Sequence, residues 1–284
     1  MIQTLTQIKS RIKSVANTKK ITNAMEMVAA SKMSRVKARF YSFHSYFSKL
    51  EDILKKTLAD SGGYIHPLLE KRGEVKNAAL VVITSDTGLC GPYNNNVIRA
   101  AEDFLKSRDK KHVRLITLGK EAYTHFRKHG YTISNSYIGL GGRYSPEMVT
   151  AMTEGLVNMF LDKEVDETYI AYTFFSSSLR HKALVEKFLN IERPAPDHAY
   201  YIFEPDRRMA LDNLIGLYLK NKIGFIILSS FTSEHSARMF AMKTATDNAQ
   251  ELIDTLTLLR NKVRQGVITK EVLEIAMSAE ALKG

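Results

Sequence analysis

The spacing of apolar residues at the two ends of the chain predicts two long helices. Near the start, the pattern recurs at three- and four-residue steps, the spacing of a narrow coiled-coil seam. The members of this seam are Leu5, Ile8, Ile12, Val15, Thr22 and Met25. Residues 208–284 keep similar steps, and neither they nor residues 1–58 contain a proline. At this length each helix would extend roughly 80 to 110 Å, so its apolar stripe needs the other helix or a partner protein to cover it.

The middle of the chain, residues 76–205, alternates short β-branched runs with helical patterns. The predicted strands cover Ala78–Thr84, Val113–Leu118, Glu167–Phe175 and Ala199–Phe203. The predicted helices cover Tyr93–Ser107, Lys120–Lys128 and Glu147–Leu161. Strands that alternate with helices favour an open, mostly parallel α/β sheet. The sequence therefore predicts three parts, namely a helix over 1–58, an α/β domain over 76–205 and a helix over 208–284.

Within the last part, Ile223–Phe231 (IGFIILSSF) is β-branched enough to form a strand by propensity alone. We assign it to the helix because the three- and four-residue pattern resumes in phase after it. This run of about nine residues is the longest uncharged apolar stretch, well short of the ~18 that indicate a transmembrane helix. The basic and apolar residues at the start also lack the core of a signal peptide. The sequence predicts no direct membrane insertion.

The chain is strongly basic, with 41 lysines and arginines against 30 aspartates and glutamates, a net charge of +11. This balance predicts an acidic partner, namely a nucleic acid, an anionic lipid surface or an acidic protein surface. Part of the charge lies on the predicted first helix, opposite the seam, at Lys9, Arg11, Lys13, Lys19, Lys20 and Lys32. A simply solvated helix face accounts for those residues equally well. Cys90 is the only cysteine, which excludes an internal disulfide and indicates a reducing compartment.

The segment SDTGLCG (Ser85–Gly91) follows a predicted strand and precedes a helix, where phosphate-binding loops occur. It contains neither GxxxxGK nor GxGxxG, so we interpret it as a tight turn. In this interpretation its glycines relieve backbone strain, Asp86 caps, and Cys90 is a small buried thiol. His125 and His129 have metal-compatible spacing, but no third ligand is evident and their neighbours are basic, which favours a structural role. The sequence predicts no catalytic, metal or cofactor site.

These observations favour a structural or transmission role over an enzyme. A nucleotide-dependent enzyme would have to use the Ser85–Gly91 loop, whose phosphate-binding motif is incomplete. A nucleic-acid-binding coiled coil would use the basic and aromatic residues between Lys32 and Lys56, but Glu51 and Asp52 interrupt that patch. We therefore predict no nucleic-acid partner.

Four segments resemble the gamma subunit of F-type ATP synthases, and they occur in that family's order and at its separations. They are ITNAMEMVAASKM (Ile21–Met33), SDTGLCGPYNNN (Ser85–Asn96), SEHSARMFAMKTATDNAQELI (Ser233–Ile253) and NKVRQGVITKEVLEI (Asn261–Ile275). The resemblance implies a fold in which the terminal helices form a long antiparallel coiled coil, joined to a small open, Rossmann-like α/β domain. It also implies a central rotor shaft that has no active site and no cofactor of its own.

The same resemblance implies the partners of such a shaft. These are the alpha and beta subunits of a hexameric head, the epsilon subunit and subunit c of a membrane ring. Rotation would couple ATP synthesis or hydrolysis in the head to ion translocation by the ring. The implied location is peripheral, at the cytoplasmic face of the cell membrane.

The residues that the resemblance assigns to contacts with beta-subunit loops are Arg264 and Gln265, with Met25 and Lys32 added from the first helix. Lever loops of the family's beta subunits are acidic, so the basic helix face gains a physical role. Attraction across a rotating bearing has to stay shallow, and scattered exposed lysines suit this better than a few buried ion pairs.

Two departures from the family's pattern leave an alternative. Asn261–Gly266 reads NKVRQG where the family usually has NRARQA, and Ser278 and Ala279 stand where it has a glycine–alanine pair. Glycine inside a helix costs ~1 kcal/mol relative to alanine, so Gly266 is unexpected there. The alternative is the gamma-like shaft of a divergent F-like ATPase that is not an ATP synthase.

Overall fold

The computed structural model describes residues 4–59, 64–73, 75–106, 108–178, 180–195, 203–204 and 206–281. Within these ranges the helices are α1 (Leu5–Ala59), α2 (Tyr93–Lys106), α3 (Lys120–Lys128), α4 (Pro146–Leu161) and α5 (Arg207–Ala281). The strands are β1 (Ala78–Ile83), β2 (Val113–Leu118), β3 (Ile133–Tyr137), β4 (Glu167–Ser177) and β5 (Arg180–Leu189). Short 3-10 turns occupy Pro67–Leu69 and Lys110–His112.

Contacts divide the chain into two compact units. The coil unit contains residues 1–28 and 239–284, and the α/β unit contains residues 29–238. Helices α1 and α5 each contribute residues to both units.

In the coil unit the first part of α1 runs antiparallel to the last part of α5. Thr246 Oγ1 donates to Thr22 Oγ1 at 2.8 Å, and Lys19 Nζ donates to Gln250 Oε1 at 2.5 Å. Residue numbers therefore fall along α1 as they rise along α5, so the two helices are antiparallel. Every member of the predicted seam on α1 is buried or half-buried, and Ile8 is fully buried. The predicted antiparallel coiled coil is confirmed.

Helix α1 begins with a reciprocal pair of hydrogen bonds at its first turn. The backbone amide of Thr4 donates to Gln7 Oε1 at 2.9 Å, and the amide of Gln7 donates to Thr4 Oγ1 at 3.4 Å. This capping box satisfies two of the amides that a helix start leaves without partners. The capping box thereby sets the residue at which α1, and with it the pairing of α1 with α5, begins.

The α/β unit contains a five-stranded sheet in the order β3-β2-β1-β4-β5. Strands β1 to β4 pair in parallel, and β5 pairs antiparallel with β4. The central strand β1 is buried along its whole length, as its apolar, β-branched sequence predicts. The predicted open, mostly parallel sheet is confirmed.

Two strands of this sheet are absent from the sequence-based assignment. Both β3 and β5 are edge strands, and polar or charged residues such as those of ISNSY in β3 remain exposed. Edge strands lack the apolar runs of central strands. Polar and charged side chains on an edge strand prevent its unpaired backbone from pairing with another chain. The further strand predicted at Ala199–Phe203 falls mostly outside the described residues, and Phe203 itself is not in a strand.

One face of the sheet carries a core built with α2 and α3. Val97 and Ala101 of α2 and Phe126 of α3 pack with Leu80 and Val82 of β1, and all five are fully buried. These helices are amphipathic, and their apolar stripes face the sheet.

An aromatic cluster joins α1, α5 and β4. Phe40 of α1 lies 5.4 Å from Phe175 of β4, ring centre to ring centre, and 5.5 Å from Phe225 of α5. Phe47 stacks on Phe225 at 5.0 Å and on Tyr218 at 5.7 Å. Such contacts add stability beyond the burial of apolar area. They attach α1 and α5 to the sheet within the α/β unit.

Helix α5 contains an 18-residue window that is apolar enough to cross a bilayer, but 67% of this window is buried inside the protein. Burial against the sheet and α1 is typical of the core helix of a folded domain. The segment Ile223–Phe231 is helical, as the phase of the pattern predicted.

Candidate functional site

The last part of α5, residues 264–281, forms a surface that we call the tip. Every residue of the tip is exposed. The register of the coiled coil explains this, because pairs such as Thr22 with Thr246 place Leu5 of α1 level with residue 263 or 264. The tip therefore continues as a single helix for ~27 Å beyond the start of α1.

Apolar side chains on the tip are uncovered. Those exposed by 44 to 71% are Val267, Ile268, Val272, Leu273, Ile275 and Met277. Single exposed apolar residues are ordinary on protein surfaces, but a group of them on one short helical segment is typical of a protein–protein contact.

The structure brings together only part of the predicted contact set. Arg264 and Gln265 are adjacent and exposed at the base of the tip. Met25 belongs to the same coil unit but is half-buried near the Thr22 pair. Lys32 belongs to the α/β unit, where it is exposed and its Nζ donates to the carbonyl of Gly141 at 3.5 Å.

The Ser85–Gly91 loop is held by its own side chains. Asp86 Oδ1 accepts from the amides of Lys120 and Gly139, both at 3.1 Å, and its Oδ2 accepts from the amide of Gly141 at 2.8 Å. Asp86 is thus a cap, but it caps the start of α3 and not the helix that follows it in sequence. Its carboxylate occupies amides that an anionic ligand would need, which supports the interpretation as a structural turn.

Backbone strain in this loop falls partly on a residue that we did not expect. Leu89 has φ 61°, a conformation costly for a residue with a side chain, while its neighbour Gly91 has φ 58°. The Leu89 side chain is also 63% exposed. Cys90, in contrast, is buried beside Ser85 and Asn94, and burial raises the pKa of its thiol. It is the buried thiol that the sequence predicted.

Sequence reasoning missed a polar stretch of α5, residues 229–238, that we call the anchor segment. Residues 229–236 are all buried although most of them are polar. Ser229 Oγ accepts from the amide of Phe175 at 2.8 Å, and Ser236 Oγ donates to the carbonyl of Ser178 at 2.7 Å. Hydrogen bonds of this kind offset the cost of burying hydroxyl groups, and they fix the helix along the end of β4.

Two charged residues complete the anchor segment. Arg238 Nη1 lies 2.7 Å from Glu234 Oε1, and Arg238 Nη2 donates to the carbonyl of Thr87 at 2.8 Å. Burial raises the pKa of Glu234, while the charge of Arg238 opposes that rise. The hydrogen bond from Arg238 to Thr87 therefore ties α5 to the Ser85–Gly91 loop. The run SSFTSEHSAR inside an otherwise apolar helix is the signal that could have identified this segment.

His235 lies between these groups and the loop before α4. Its ring faces the backbone of Gly142 so closely that a Cβ there would lie 2.4 Å from Nε2. Burial, with the charges of Arg238 and Lys32, lowers the pKa of His235 to about 4, so its imidazole is neutral at physiological pH.

His125 and His129 have local partners that explain their spacing. His125 Nε2 lies 2.8 Å from Glu102 Oε1, and His129 Nδ1 lies 2.8 Å from the carbonyl of His125. The two rings stack with centres 4.2 Å apart. Among the described residues no group of three or more potential metal ligands is present.

Comparison with known proteins gives matches over nearly the whole chain. A family model described as ATP synthase matches residues 4–282. An ATP synthase gamma chain of Protochlamydia amoebophila is 39% identical over 283 residues, covering 98% of this chain and 99% of the relative. An ATP synthase gamma chain of Pelotomaculum thermopropionicum is 38% identical over 283 residues, with the same coverage of 98% and 99%.

Solved structures agree with the fold. A chain of the Euglena gracilis mitochondrial ATP synthase, in a structure of OSCP, F1 and c-ring in rotational state 3, has a TM-score of 0.70 and 17% identity. That match covers 98% of this chain and 94% of the other. A chain of the rotor of the same complex, in rotational state 1, has a TM-score of 0.65 and 16% identity, covering 93% and 98%. At these identities the likeness concerns the fold.

Proposed function

This chain belongs to the ATP synthase gamma chain family, the central-stalk rotor subunits of F-type ATPases, and we propose that its paired terminal helices carry torque between a catalytic head and a membrane ring. The observation that carries this proposal is α5, which runs as one helix from Arg207 to Ala281. The anchor segment bonds this helix to the sheet, and the seam pairs it with α1. The contacts of α5 with the sheet in the anchor segment and with α1 in the seam suit a helix that transmits rotation.

We propose that the tip inserts into the head formed by alpha and beta subunits. Its exposed apolar residues support this, because they are costly to leave in water and are favourable in a protein-lined bearing. Arg264 and Gln265 at its base then contact beta-subunit loops. Both side chains are exposed and therefore available for hydrogen bonds to carboxylates.

The remaining contacts are assigned on weaker support. Lys32 is exposed and charged, which suits an acidic beta-subunit loop, whereas Met25 is half-buried and offers only part of its side chain. The net charge of +11 favours acidic partner surfaces in general. We propose epsilon and ring subunit c as further partners, and a peripheral position at the cytoplasmic face of the cell membrane.

The relatives support an ATP synthase shaft and not the alternative of a divergent ATPase. The substitutions at Asn261–Gly266 and at Ser278 and Ala279 occur in a chain that matches ATP synthase gamma chains from end to end. Gly266 lies in the exposed tip, where helix α5 continues through it. The altered signature therefore leaves the helix intact.

A rotation assay tests the proposal. Cys90 is buried, so Arg99→Cys on the exposed side of α2 supplies one reactive thiol for a bead. The variant is assembled with alpha and beta subunits fixed to a surface, and ATP is added. We expect the bead to turn in one direction, and a complex whose shaft lacks residues 264–281 serves as the control. Hydrolysis of ATP by the complete complex with a stationary bead would contradict the shaft role.

A further inference from the structure

A loop of the α/β unit closes over a buried histidine of α5. This loop, residues 138–145, joins β3 to α4, and we call it the glycine loop. His235 of the anchor segment is 1% exposed. Its Nε2 lies so close to Gly142 that a methyl group on that glycine would be 2.4 Å away. The ring therefore has no room to turn while the loop stays in place.

The glycine loop is held from outside by polar side chains, and its backbone is suited to a change of shape. Asp86 accepts from the amides of Gly139 and Gly141 at 3.1 and 2.8 Å. Lys32 Nζ donates to the carbonyl of Gly141 at 3.5 Å. Gly139, Gly141 and Gly142 have φ 84°, 55° and 71°. Glycine adopts positive and negative φ at similar cost, so the loop can exchange one conformation for another.

The α5 side of this contact is fixed. Ser229 Oγ accepts from the amide of Phe175 at 2.8 Å, and Ser236 Oγ donates to the carbonyl of Ser178 at 2.7 Å. These bonds to the end of β4 lie on both sides of His235 in the sequence. The ring is therefore held with its helix, and the glycine loop is the side that can move.

The surroundings of His235 disfavour a positive charge on its ring. Neither ring nitrogen has a hydrogen-bond partner among the described residues. In the same part of the chain, Glu234 is the one carboxylate within 4.0 Å of the ring, and its Oε1 lies 2.7 Å from Arg238 Nη1. An imidazolium here would be buried among cations, a costly arrangement. The charged and titratable groups around His235 are Glu234 and Arg238 on α5, Lys32, Arg35 and Arg39 on α1, Arg143 and Tyr144 in the glycine loop, and Asp86 after β1.

We propose that the glycine loop is an acid-sensitive clasp, which stays closed over the neutral ring of His235 and opens when this ring takes up a proton from the solvent. Burial, with the charges of Arg238 and Lys32, lowers the pKa of His235 to about 4 in the closed form. In an open form the ring meets water, and its pKa returns toward the usual value of about 6.5. The open form therefore binds the proton more tightly. The clasp is fully stable above about pH 6.5 and weakens as the pH falls toward about 4.

Opening of the clasp changes contacts of both long helices within the α/β unit. Lys32 of α1 loses the carbonyl of Gly141, and His235 of α5 loses its cover. The amides of Gly139 and Gly141 lose the carboxylate of Asp86 and become free to exchange with solvent. These two amides therefore report on the clasp.

Hydrogen exchange of the purified full chain, measured by mass spectrometry on peptides from the glycine loop, tests the proposal. Each rate is divided by the intrinsic rate of the unfolded loop sequence at the same pH. The corrected exchange should be roughly 30-fold faster at about pH 5 than at about pH 7.5, given a pKa of about 4 in the closed form. His235→Gln cannot titrate and should remove this rise. The matched control is His112→Gln, which removes an exposed imidazole of the same unit and should keep the rise.

A ring titration by NMR gives a second readout on the unaltered chain, and it decides the matter if His235→Gln does not fold. The ring signals of His235 should change with a midpoint below about pH 5, because the closed form resists protonation. The amides of Gly139 and Gly141 should lose their protection over the same pH range.

A rise in exchange that persists in His235→Gln would overturn the proposal, because another group would then open the loop. Equal corrected exchange of the unaltered chain at both pH values would also overturn it. So would a His235 ring that titrates at its usual pKa of about 6.5 while the loop stays protected. Neither measurement involves alpha, beta or ring subunits, so failure of the clasp proposal leaves the shaft role untouched.

Discussion

Single side chains hold distant loops of the α/β unit together by bonding to backbone groups. Asp86 accepts from amides of three residues that lie 34 to 55 positions further along the chain. Arg238 donates to Thr87, 151 positions earlier. A charged group bonded to several backbone groups costs more to replace than one exposed ion pair, because its removal breaks several hydrogen bonds at once.

The contact between His235 and Gly142 allows a matched test at this scale. Gly142 has φ 71° and no room for a Cβ, whereas Gly141 has φ 55° and open space around it. We expect Gly141→Ala to cost about 1 kcal/mol of unfolding free energy, since only backbone strain is added. Gly142→Ala should cost about 3 kcal/mol, because the methyl group also displaces the His235 ring. Urea denaturation of both variants measures the difference, and equal losses would show that the ring yields freely.

Some of these residue roles could be predicted from the sequence and others could not. A capping Asp86 and a buried Cys90 follow from local turn chemistry, although the helix that Asp86 caps is not the adjacent one. The positions of His235 and Arg238 depend on loops more than 90 positions away. Local patterns carry no information about such partners.

At the scale of elements, the seam between α1 and α5 uses few large apolar residues. Ile8 is fully buried there, while Thr22 and Ala249 are small or polar. The coil unit therefore depends strongly on its few bulky side chains.

Ile8→Ala and Ile21→Ala on the same helix test this dependence. Ile8 is 0% exposed and Ile21 is 60% exposed. Loss of a buried isoleucine should cost about 2 to 4 kcal/mol, whereas the exposed position should change stability by less than about 0.5 kcal/mol. Limited proteolysis near the start of α1 and thermal unfolding report on the coil unit. Similar behaviour of the two variants would contradict the register described above.

Periodicity predicted the helices and central strands well because burial imposes a repeat on the sequence. The bounds of β2 and α3 agree with the prediction, and those of α1, α2 and α5 differ by a few residues. Edge strands β3 and β5 escaped detection because only part of each is buried. The direction of β5 was likewise unpredictable, since an antiparallel partner leaves no signature in a strand of ten residues.

At the scale of the whole molecule, helix α5 contributes the anchor segment to the α/β unit and the exposed tip to the coil unit. In the function that we propose, torque depends on how firmly the head engages the tip under load. Stability of the isolated chain does not report this, because the tip makes no packing contacts with the rest of the described chain that would bury its side chains.

Arg264→Ala with Gln265→Ala tests engagement of the head. We expect the assembled complex to form normally but to produce lower torque and slower turnover, since two polar contacts of about 1 to 3 kcal/mol each are lost. Bead rotation against viscous load is the measurement. Asn96→Ala with Arg99→Ala on α2 removes the same kinds of group from exposed positions and serves as the control. Unchanged rotation under load would remove Arg264 and Gln265 from the contact site.

The antiparallel seam joins residues made at very different moments of protein synthesis. Thr22 and its partner Thr246 are 224 positions apart. At about 5 to 20 residues per second, a ribosome needs roughly 10 to 45 seconds to reach the second after the first. Throughout that interval the apolar stripe around Ile8 has no helix to cover it, while the segments of the α/β unit are being made. During synthesis the nascent chain therefore exposes a chaperone-binding stripe on α1 until α5 has left the ribosome.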